Sequence, residues 1–368
     1  MMRALDAIPV ETRRAPSPAI AKNVAAFRRA VLGWYDQHRR DLPWRQTRDP
    51  YRIWLSEIML QQTRVAAVLE HYRVFLERFP NVEVLAAASE DAVLAAWSGL
   101  GYYRRARMLH RCARQIARQH GGCFPRNSEA LLALPGIGRY TAAAIASIAF
   151  AEPVAVVDGN VERVLQRLIG NKSIGINLTT AQTWQHAQAF LSNSRPGDFN
   201  QGMMELGATV CVPRAPHCPM CPVRKWCVTR GEVPRSEPPS RQKKKQIWCV
   251  LEWRDGNGSG NGNGKVRLVQ RPRQASLMPG MWELPQSSEP PRPLPASARW
   301  RTFRHSITIT DYTVHVLRTA PLRNSLLRNT PLPGAAPAAK GTWIAIDRIL
   351  RIPITGLTRK ILKDSGII

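Results

Sequence analysis

The stretch that most restricts what this chain can become is residues 134–163, LPGIGRYTAAAIASIAFAEPVAVVDGNVER. Pro135, Gly136, Ile137 and Gly138 predict a tight hairpin, because glycines relieve the backbone of such a turn. A turn of this kind leaves main-chain N–H groups pointing outward beside a helix N-terminus, the geometry that receives a phosphate. The helix expected next, about Tyr140 to Phe150, is nearly all Ala and Ile, so another helix can approach it closely; it must end before Glu152-Pro153. Asp158 then stands at the N-cap of a second helix. Singly, each feature also serves as a plain helix connection or a plain cap, so the rest of the chain has to decide.

The 368 residues suffice for two domains with separate cores. Lys plus Arg number 53 against 26 Asp plus Glu, a net charge of +27, and 23 basic residues face 9 acidic ones in 231–368. Both parts of the chain therefore carry a positive excess, and a polyanion is the leading expectation for a partner. No run of about eighteen apolar residues occurs, and the first twenty residues lack the apolar core of a signal peptide. A cytoplasmic protein without membrane association is expected, and a monomer.

Taken in order, residues 1–21 read as a loose terminus. Val24, Phe27, Val31, Leu32 and Tyr35 recur at helical spacing over about Asn23 to His38. After the loop marked by Pro43 and Pro50, one helix is expected from Tyr51 into the seventies. Glu57 lies on it among Ile53, Trp54, Ile58, Met59 and Leu60, and a carboxyl group so surrounded holds its proton to higher pH, as a general acid must. A glutamate on the wet side of an amphipathic helix is the alternative. Further helices are expected at about 82–88, 90–97 and 103–120. Gly99, Gly101, Tyr102 and Tyr103 interrupt them, and an aromatic pair beside glycines at the start of a basic helix can wedge between stacked bases or simply pack. Residues 128–227 stay helical.

Cys211, Cys218, Cys221 and Cys227 form C-x6-C-x2-C-x5-C, whereas Cys112, Cys123 and Cys249 are scattered. That is a metal pattern rather than a disulfide framework. Zinc ribbons use two C-x2-C knuckles on hairpins, and one close pair directly after a helical segment favours a 4Fe-4S cluster over structural zinc. Beyond it, residues 231–246 are polar, basic and proline-bearing, as a linker is. QIWCVLEWRD, KVRLVQRP, ITITDYTVHVLRTA and GTWIAI read as strands, separated by the flexible tip DGNGSGNGNGK and a proline-rich 285–298; a short helix closes the chain at about Leu357 to Ser365.

Together LPWR, SEIMLQQTRV, GLGYYRRAR, LPGIGRYTAAAIASIAF, VDGNVERVLQRL, FNQGMMELGA and the four-cysteine loop resemble, in that order and over nearly the whole chain from about residue 22, the MutY-type adenine DNA glycosylases of the helix-hairpin-helix superfamily. The resemblance implies a mainly α glycosylase domain over 22–230 that includes the 4Fe-4S loop 211–227, a linker, and an α+β Nudix-like lesion-recognition domain over 247–368. Residue by residue, it implies that Glu57 is the catalytic acid and base and Asp158 the carboxylate beneath the sugar cation. Tyr140 and Asn160 match positions that hold the carboxylates and the reacting sugar. Arg45, Leu60, Gln61, Gln62 and Tyr102 match residues that contact the flipped base or fill the vacated stack, and Gly136 and Gly138 belong to the phosphate-binding hairpin. The implied substrate is duplex DNA with adenine opposite 8-oxoguanine or guanine, in base excision repair.

Such chemistry needs a proton on the leaving base and an anion beneath the developing sugar charge, which two carboxylates in different environments supply. The sister endonuclease III group carries a strand-cutting lysine two residues after the second hairpin glycine; here that position is Tyr140, so a monofunctional glycosylase is expected. MPGMWELP resembles the opening of a Nudix box, but QSSEPPRPLP replaces its metal-holding carboxylates, so pyrophosphate hydrolysis is not expected. The loop that reads 8-oxoguanine in the family corresponds to Phe303, Arg304 and His305; arginine stands where a small hydroxyl is usual, and Ser306 is one step away. An endonuclease III-like lyase and a non-enzymatic DNA-binding protein are the rival readings.

Overall fold

The computed structural model describes residues 23–170, 177–230, 243–254, 264–290, 299–307, 310–318 and 341–368. The expected loose N-terminus 1–21, most of the linker 231–246, most of the DGNGSGNGNGK tip and part of the proline-rich stretch lie outside them. Packing divides the chain into one unit of Met1–Glu57 and Phe124–Glu237 and another of Ile58–Cys123 and Pro238–Ile368. One cut, after Glu237, falls inside the expected linker 231–246; the other two, after Glu57 and after Cys123, set residues 58–123 of the expected helical domain with the C-terminal region.

In the first unit, α1 (Val24–His38), the start of α2 (Pro50–Leu60), α7 (Ser128–Leu132), α8 (Arg139–Phe150), α9 (Gly159–Leu168), α10 (Thr180–Phe190) and α11 (Pro196–Thr209) follow one another. Their core gathers Phe27 and Val31 of α1, Val164 and Leu165 of α9, Phe190 of α10, Phe199 and Leu206 of α11, and Trp226. The Phe27 ring meets those of Phe190 at 5.2 Å and Trp226 at 5.6 Å, tilted or edge-on, the arrangements that ring quadrupoles favour. The cysteine loop is thereby pinned to α1 through Trp226.

Helix α11 is the axle of this unit. Its three interior glycines are five residues apart, and five steps of about 100° turn each glycine roughly 140° from the last. Each therefore faces a different neighbour. A Cβ on Gly197 would sit 2.7 Å from Ser147 O of α8, one on Gly202 3.1 Å from Val31 Cγ1 of α1, and one on Gly207 2.6 Å from Asn160 Cβ of α9.

The second unit opens with the end of α2 and continues through α3 (Val65–Arg78), α4 (Val82–Ala87), α5 (Glu90–Trp97) and α6 (Arg104–Gln119). The single helix expected from Tyr51 into the seventies is two: Gln62 takes a left-handed φ of 56°, which stops α2, and α3 restarts at Val65. No proline or glycine marks that break, so local propensity did not reveal it.

The C-terminal region is α+β, as expected. It comprises β1 (Lys243–Leu251), β2 (Trp253–Arg254), β3 (Lys265–Gln270), β4 (Trp282–Glu283), β5 (Gln286–Ser287), β6 (Arg299–Ile307), β7 (Thr310–Arg318), β8 (Thr342–Ala345), α12 (Ile346–Ile349) and α13 (Gly356–Asp364). One sheet runs β5-β1-β7-β6, with β1 parallel to β7; the other runs β2-β3-β4, with β8 on β3. Between them lie Cys249, Leu251, Leu268, Val314 and Val316, covered by Ile354 and Ile361. Two expectations need correction. Strand β1 begins at Lys243, inside the expected linker, because parallel pairing with β7 recruits a lysine run that is polar by composition. ITITDYTVHVLRTA is not one strand, since Ile307 ends β6, a strand the sequence reading missed, and β7 starts at Thr310.

Candidate active site

Helix α2 brings Glu57 into the first unit's interior, where the residue is 7% exposed. Tyr140, in the first turn of α8, donates its hydroxyl to Glu57 Oε2 at 2.6 Å; Met204 Sδ lies 3.3 Å from the same hydroxyl. Burial pushes the Glu57 carboxyl up to about 7, the hydrogen bond from Tyr140 restrains the rise, the nearby negative charge of Asp158 adds to it, and Arg45 opposes it. An acid poised near neutrality can give a proton and take it back. Burial and the charges of Glu57 and Asp158 in turn hold the Tyr140 phenol well above its ordinary range, so it stays a donor.

Asp158 caps α9. Its Oδ1 accepts from the backbone N–H groups of Asn160 (3.0 Å) and Val161 (2.7 Å), and its Oδ2 from Asn160 Nδ2 (2.8 Å). The helix dipole favours an anion there. Asn160 Oδ1 accepts from Arg163 Nη2, and Arg163 also donates to Gly207 O and Cys211 O. The bare Gly207 is what allows α9 to come this close to α11.

Arg45 lies in a 3-10 turn, Pro43–Arg45, with its side chain 10% exposed, and Nη2 donates to Glu205 Oε2 at 2.7 Å. Glu205 also accepts from the Arg40 backbone N–H and from Arg40 Nε and Nη2. Burial pushes the Glu205 carboxyl up, but the bonds from the two arginines prevail and hold it at about 2. Arg45 is therefore a wall of the site with its charge already engaged, rather than a free arm. Glu205 was missed in the sequence although FNQGMMELGA was noticed; an acid flanked by Met and Leu is the same signal that drew attention to Glu57.

In the hairpin, Gly136 has φ of 77°, which a side chain resists, whereas Gly138 takes φ of −92° as the N-cap of α8 and has no side-chain cap. Both are exposed. The turn thus presents an uncapped helix start to solvent, as an anion site requires.

Leu60, Gln61, Gln62 and Tyr102 belong to the second unit. Arg105 Nη1 donates to the carbonyls of Ile58, Met59 and Gln61, and its Nη2 to Thr63 Oγ1 and to the carbonyls of Leu100 and Gly101. One guanidinium ties the end of α2 to the loop before α6, and its carbon lies 5.5 Å from the centre of the Tyr102 ring. Tyr102 is 48% exposed at a left-handed φ of 47°. Arg105 was not singled out in the sequence, where it is one arginine in a basic helix.

Phe303, Arg304, His305 and Ser306 lie on the edge strand β6, not in a loop. Strand alternation parts them. Phe303 sits under Lys360 Nζ of α13 at 4.3 Å, and burial, then the charge of Lys360, lowers the His305 imidazole; Arg304 and Ser306 are exposed, and the Ser306 hydroxyl donates to Asp311 Oδ1.

Cys211, Cys218, Cys221 and Cys227 line one cavity together with Arg167 and Arg224. Arg167, on α9, donates to Cys211 Sγ and O and to the carbonyls of Val212 and Pro213, so the cysteine loop braces the helix that Asp158 caps. Burial pushes the Cys221 thiol up to about 11 and raises that of Cys227, and the other thiolates add to both shifts. Four crowded soft donors of this kind fit a cationic metal group that displaces their protons. Among the described residues, no group of three or more His, Cys, Asp or Glu side chains is placed to hold a metal ion.

Among the described residues, no helix is long and apolar enough to cross a membrane. The HhH-GPD superfamily of base excision DNA repair proteins matches residues 55–188. The adenine DNA glycosylase of Homo sapiens is 35% identical over 414 residues, covering 92% of this chain and 74% of its own. That of Mycobacterium tuberculosis (strain CDC 1551 / Oshkosh) is 42% identical over 215 residues, 57% of this chain and 70% of its own. A solved thermostable thymine-DNA glycosylase is 34% identical with a TM-score of 0.54, covering 58% of this chain and 98% of that one. With a buried, protonatable carboxyl electrostatically coupled to a helix-capping aspartate on this helical scaffold, and similarity along nearly its whole length, the chain belongs to the adenine DNA glycosylases of the helix-hairpin-helix base excision repair superfamily.

Proposed function

We propose that this DNA glycosylase removes adenine mispaired with 8-oxoguanine or guanine in duplex DNA, by hydrolysis of the N-glycosidic bond after base flipping and without cutting the strand. The observation that carries the reading is Glu57: a buried carboxyl poised at about 7, bonded to Tyr140 and electrostatically coupled to Asp158. In its protonated form Glu57 gives its hydrogen to a ring nitrogen of the departing adenine. The Asp158 carboxylate, held by Asn160 and the start of α9, stabilises the positive charge that forms on the deoxyribose. Tyr140 keeps Glu57 oriented and cannot form a Schiff base, and α8 contains no lysine to replace it.

Gln61, Gln62 and the exposed Tyr102 ring offset part of the stacking lost when the base leaves the duplex. The hairpin at Gly136 and Gly138 holds a backbone phosphate, and Arg304 and Ser306, on the exposed side of β6 in the Nudix-like region, are the residues proposed to face the lesion, with Phe303 and His305 supporting the strand from behind. Cys211, Cys218, Cys221 and Cys227 would hold a 4Fe-4S cluster, whose role is to fix the loop carrying the exposed Arg214, Arg224 and Lys225. The setting proposed is cytoplasmic, on nucleoid DNA, as a monomer.

The test is a single-turnover assay on 8-oxoguanine:adenine duplex. An abasic site that breaks only on hot alkali, with no borohydride-trapped adduct and with activity abolished in Glu57→Gln while duplex binding persists, is the expected result. Strand scission without alkali, or release undiminished in Glu57→Gln, would refute the reading.

A further inference from the structure

Within the second unit, the C-terminal region grips the loop that ends in Tyr102. Ser98, the C-cap of α5 and 1% exposed, donates its hydroxyl to Ile354 O at 2.8 Å and accepts from Arg359 Nε at 2.9 Å. Tyr103, 4% exposed, donates to the same carbonyl at 3.3 Å. Ile354 is itself fixed: Trp282 N–H donates to Pro353 O, Thr355 N–H donates to Trp282 O, and Thr355 caps α13.

What this grip restrains is a backbone that resists its shape. Gly99, Gly101 and Tyr102 have φ of 111°, 68° and 47°, three left-handed residues in four positions. A tyrosine, unlike glycine, meets steric resistance in that region. A Cβ on Gly99 would meet His71 Nε2 at 2.9 Å, with Arg359 Cδ in ordinary contact at 3.7 Å, so the loop lies close against His71 and touches Arg359. From the other side Arg105 holds Leu100 O and Gly101 O. Next to Arg359, Lys360 lies over Phe303 of β6. One helix, α13, thus touches both the strand proposed to face the lesion and the loop that bears the wedge.

We infer that Arg359 is a positioning residue which, through Ser98, holds Tyr102 ready for insertion and couples the state of β6 to that readiness; this rests on the wedge and lesion roles proposed above. The ammonium of Lys360 lies over the Phe303 ring, while Arg359 Nε reaches Ser98 at the loop.

The test uses the full chain. Arg359→Met keeps the aliphatic stem and removes the bond to Ser98; Ser98→Ala removes a single oxygen; the pair completes a double-mutant cycle. Readouts are the fluorescence of a 2-aminopurine next to the 8-oxoguanine, which reports insertion, and single-turnover adenine release from paired and from unpaired, bulged adenine. The loss of one charge-assisted hydrogen bond corresponds to about a tenfold fall in insertion and release on paired substrate. The two substitutions should be non-additive, Arg359→Lys should recover part of the loss, and the defect should shrink on unpaired adenine. A purely structural role would slow both substrates alike, and that result, or additive effects, overturns the inference. If Arg359→Met melts well below the unaltered protein, Ser98→Ala reads the same coupling. Absence of adenine release from the unaltered protein would sink the functional reading beneath it, an outcome that the control reveals by itself.

Discussion

Replacing Glu57 with glutamine should abolish adenine release and at the same time make the protein more stable at and above neutral pH. The reason lies in proton linkage. The folded state holds the Glu57 proton up to about 7, whereas the unfolded chain releases it near 4.5. Below about 4.5 both states keep the proton and the carboxyl costs nothing extra. As pH rises the unfolded state loses its proton first, so folding stability falls, and the whole penalty is present above about 7. At about 1.4 kcal/mol per pH unit the gap amounts to on the order of 3 kcal/mol. A glutamine carries no charge to desolvate and can still accept from Tyr140 through Oε1, although its unpaired Nε2 offsets part of the gain. With ~2–4 °C per kcal/mol for a domain of this size, the first unit of Glu57→Gln should melt up to about 10 °C higher at pH 8. Differential scanning calorimetry at pH 8 and at pH 4.5 measures it. Coincident melting curves at pH 8, or a difference that does not shrink on acidification, would refute the linkage argument. The same ionisation makes single-turnover release fall as pH rises through about 7 in the unaltered protein, since it is the protonated acid that acts.

Other outcomes follow from the same geometry. Asp158→Asn keeps the Oδ1 cap but loses the bond from Asn160 Nδ2, so stability to melting should fall by only about 1 kcal/mol, while release falls by roughly a hundredfold or more because the anion proposed beneath the sugar is gone; comparable losses of both would point to a capping role alone. Gly207→Ala places a carbon 2.6 Å from Asn160 Cβ; it should cost about 2 kcal/mol by melting and reduce release at temperatures where the protein is still folded, because Asn160 is displaced. Cys221→Ser should remove the visible absorption of an iron–sulfur cluster and loosen the loop that Trp226 anchors, seen as faster proteolysis between 211 and 227; a colourless protein with bound zinc would contradict the cluster.

Much of this was legible in the sequence because the relevant physics is local. Asp158 is read as a cap from its place before an amphipathic helix, Glu57 as an unusual acid from its apolar neighbours, and the cysteine loop from spacing alone. What was not legible depends on partners distant in the chain. The engagement of Arg45 depends on Glu205, 160 residues away. Arg105 matters only because two loops meet at its guanidinium. The break at Gln62 has no breaker residue, and β6 was hidden because RWRTFRHSI alternates without a polar boundary before its hairpin partner. Arg304 could be flagged as a departure, but its separation from His305 onto the other side of a strand needed the register.

Three helices rest directly on α11, two of them (α8 at Gly197 and α9 at Gly207) where any side chain would collide and α1 at Gly202 where one would be tight, so the gaps between them admit little shim. A lineage of this protein adapting to heat or cold therefore has little room to move the start of α9, where Asp158 stands, by small steps along that axle. Change there is either refused or disruptive, and tuning has to come from the outer surfaces, leaving the inner geometry inherited almost as a fixed casting.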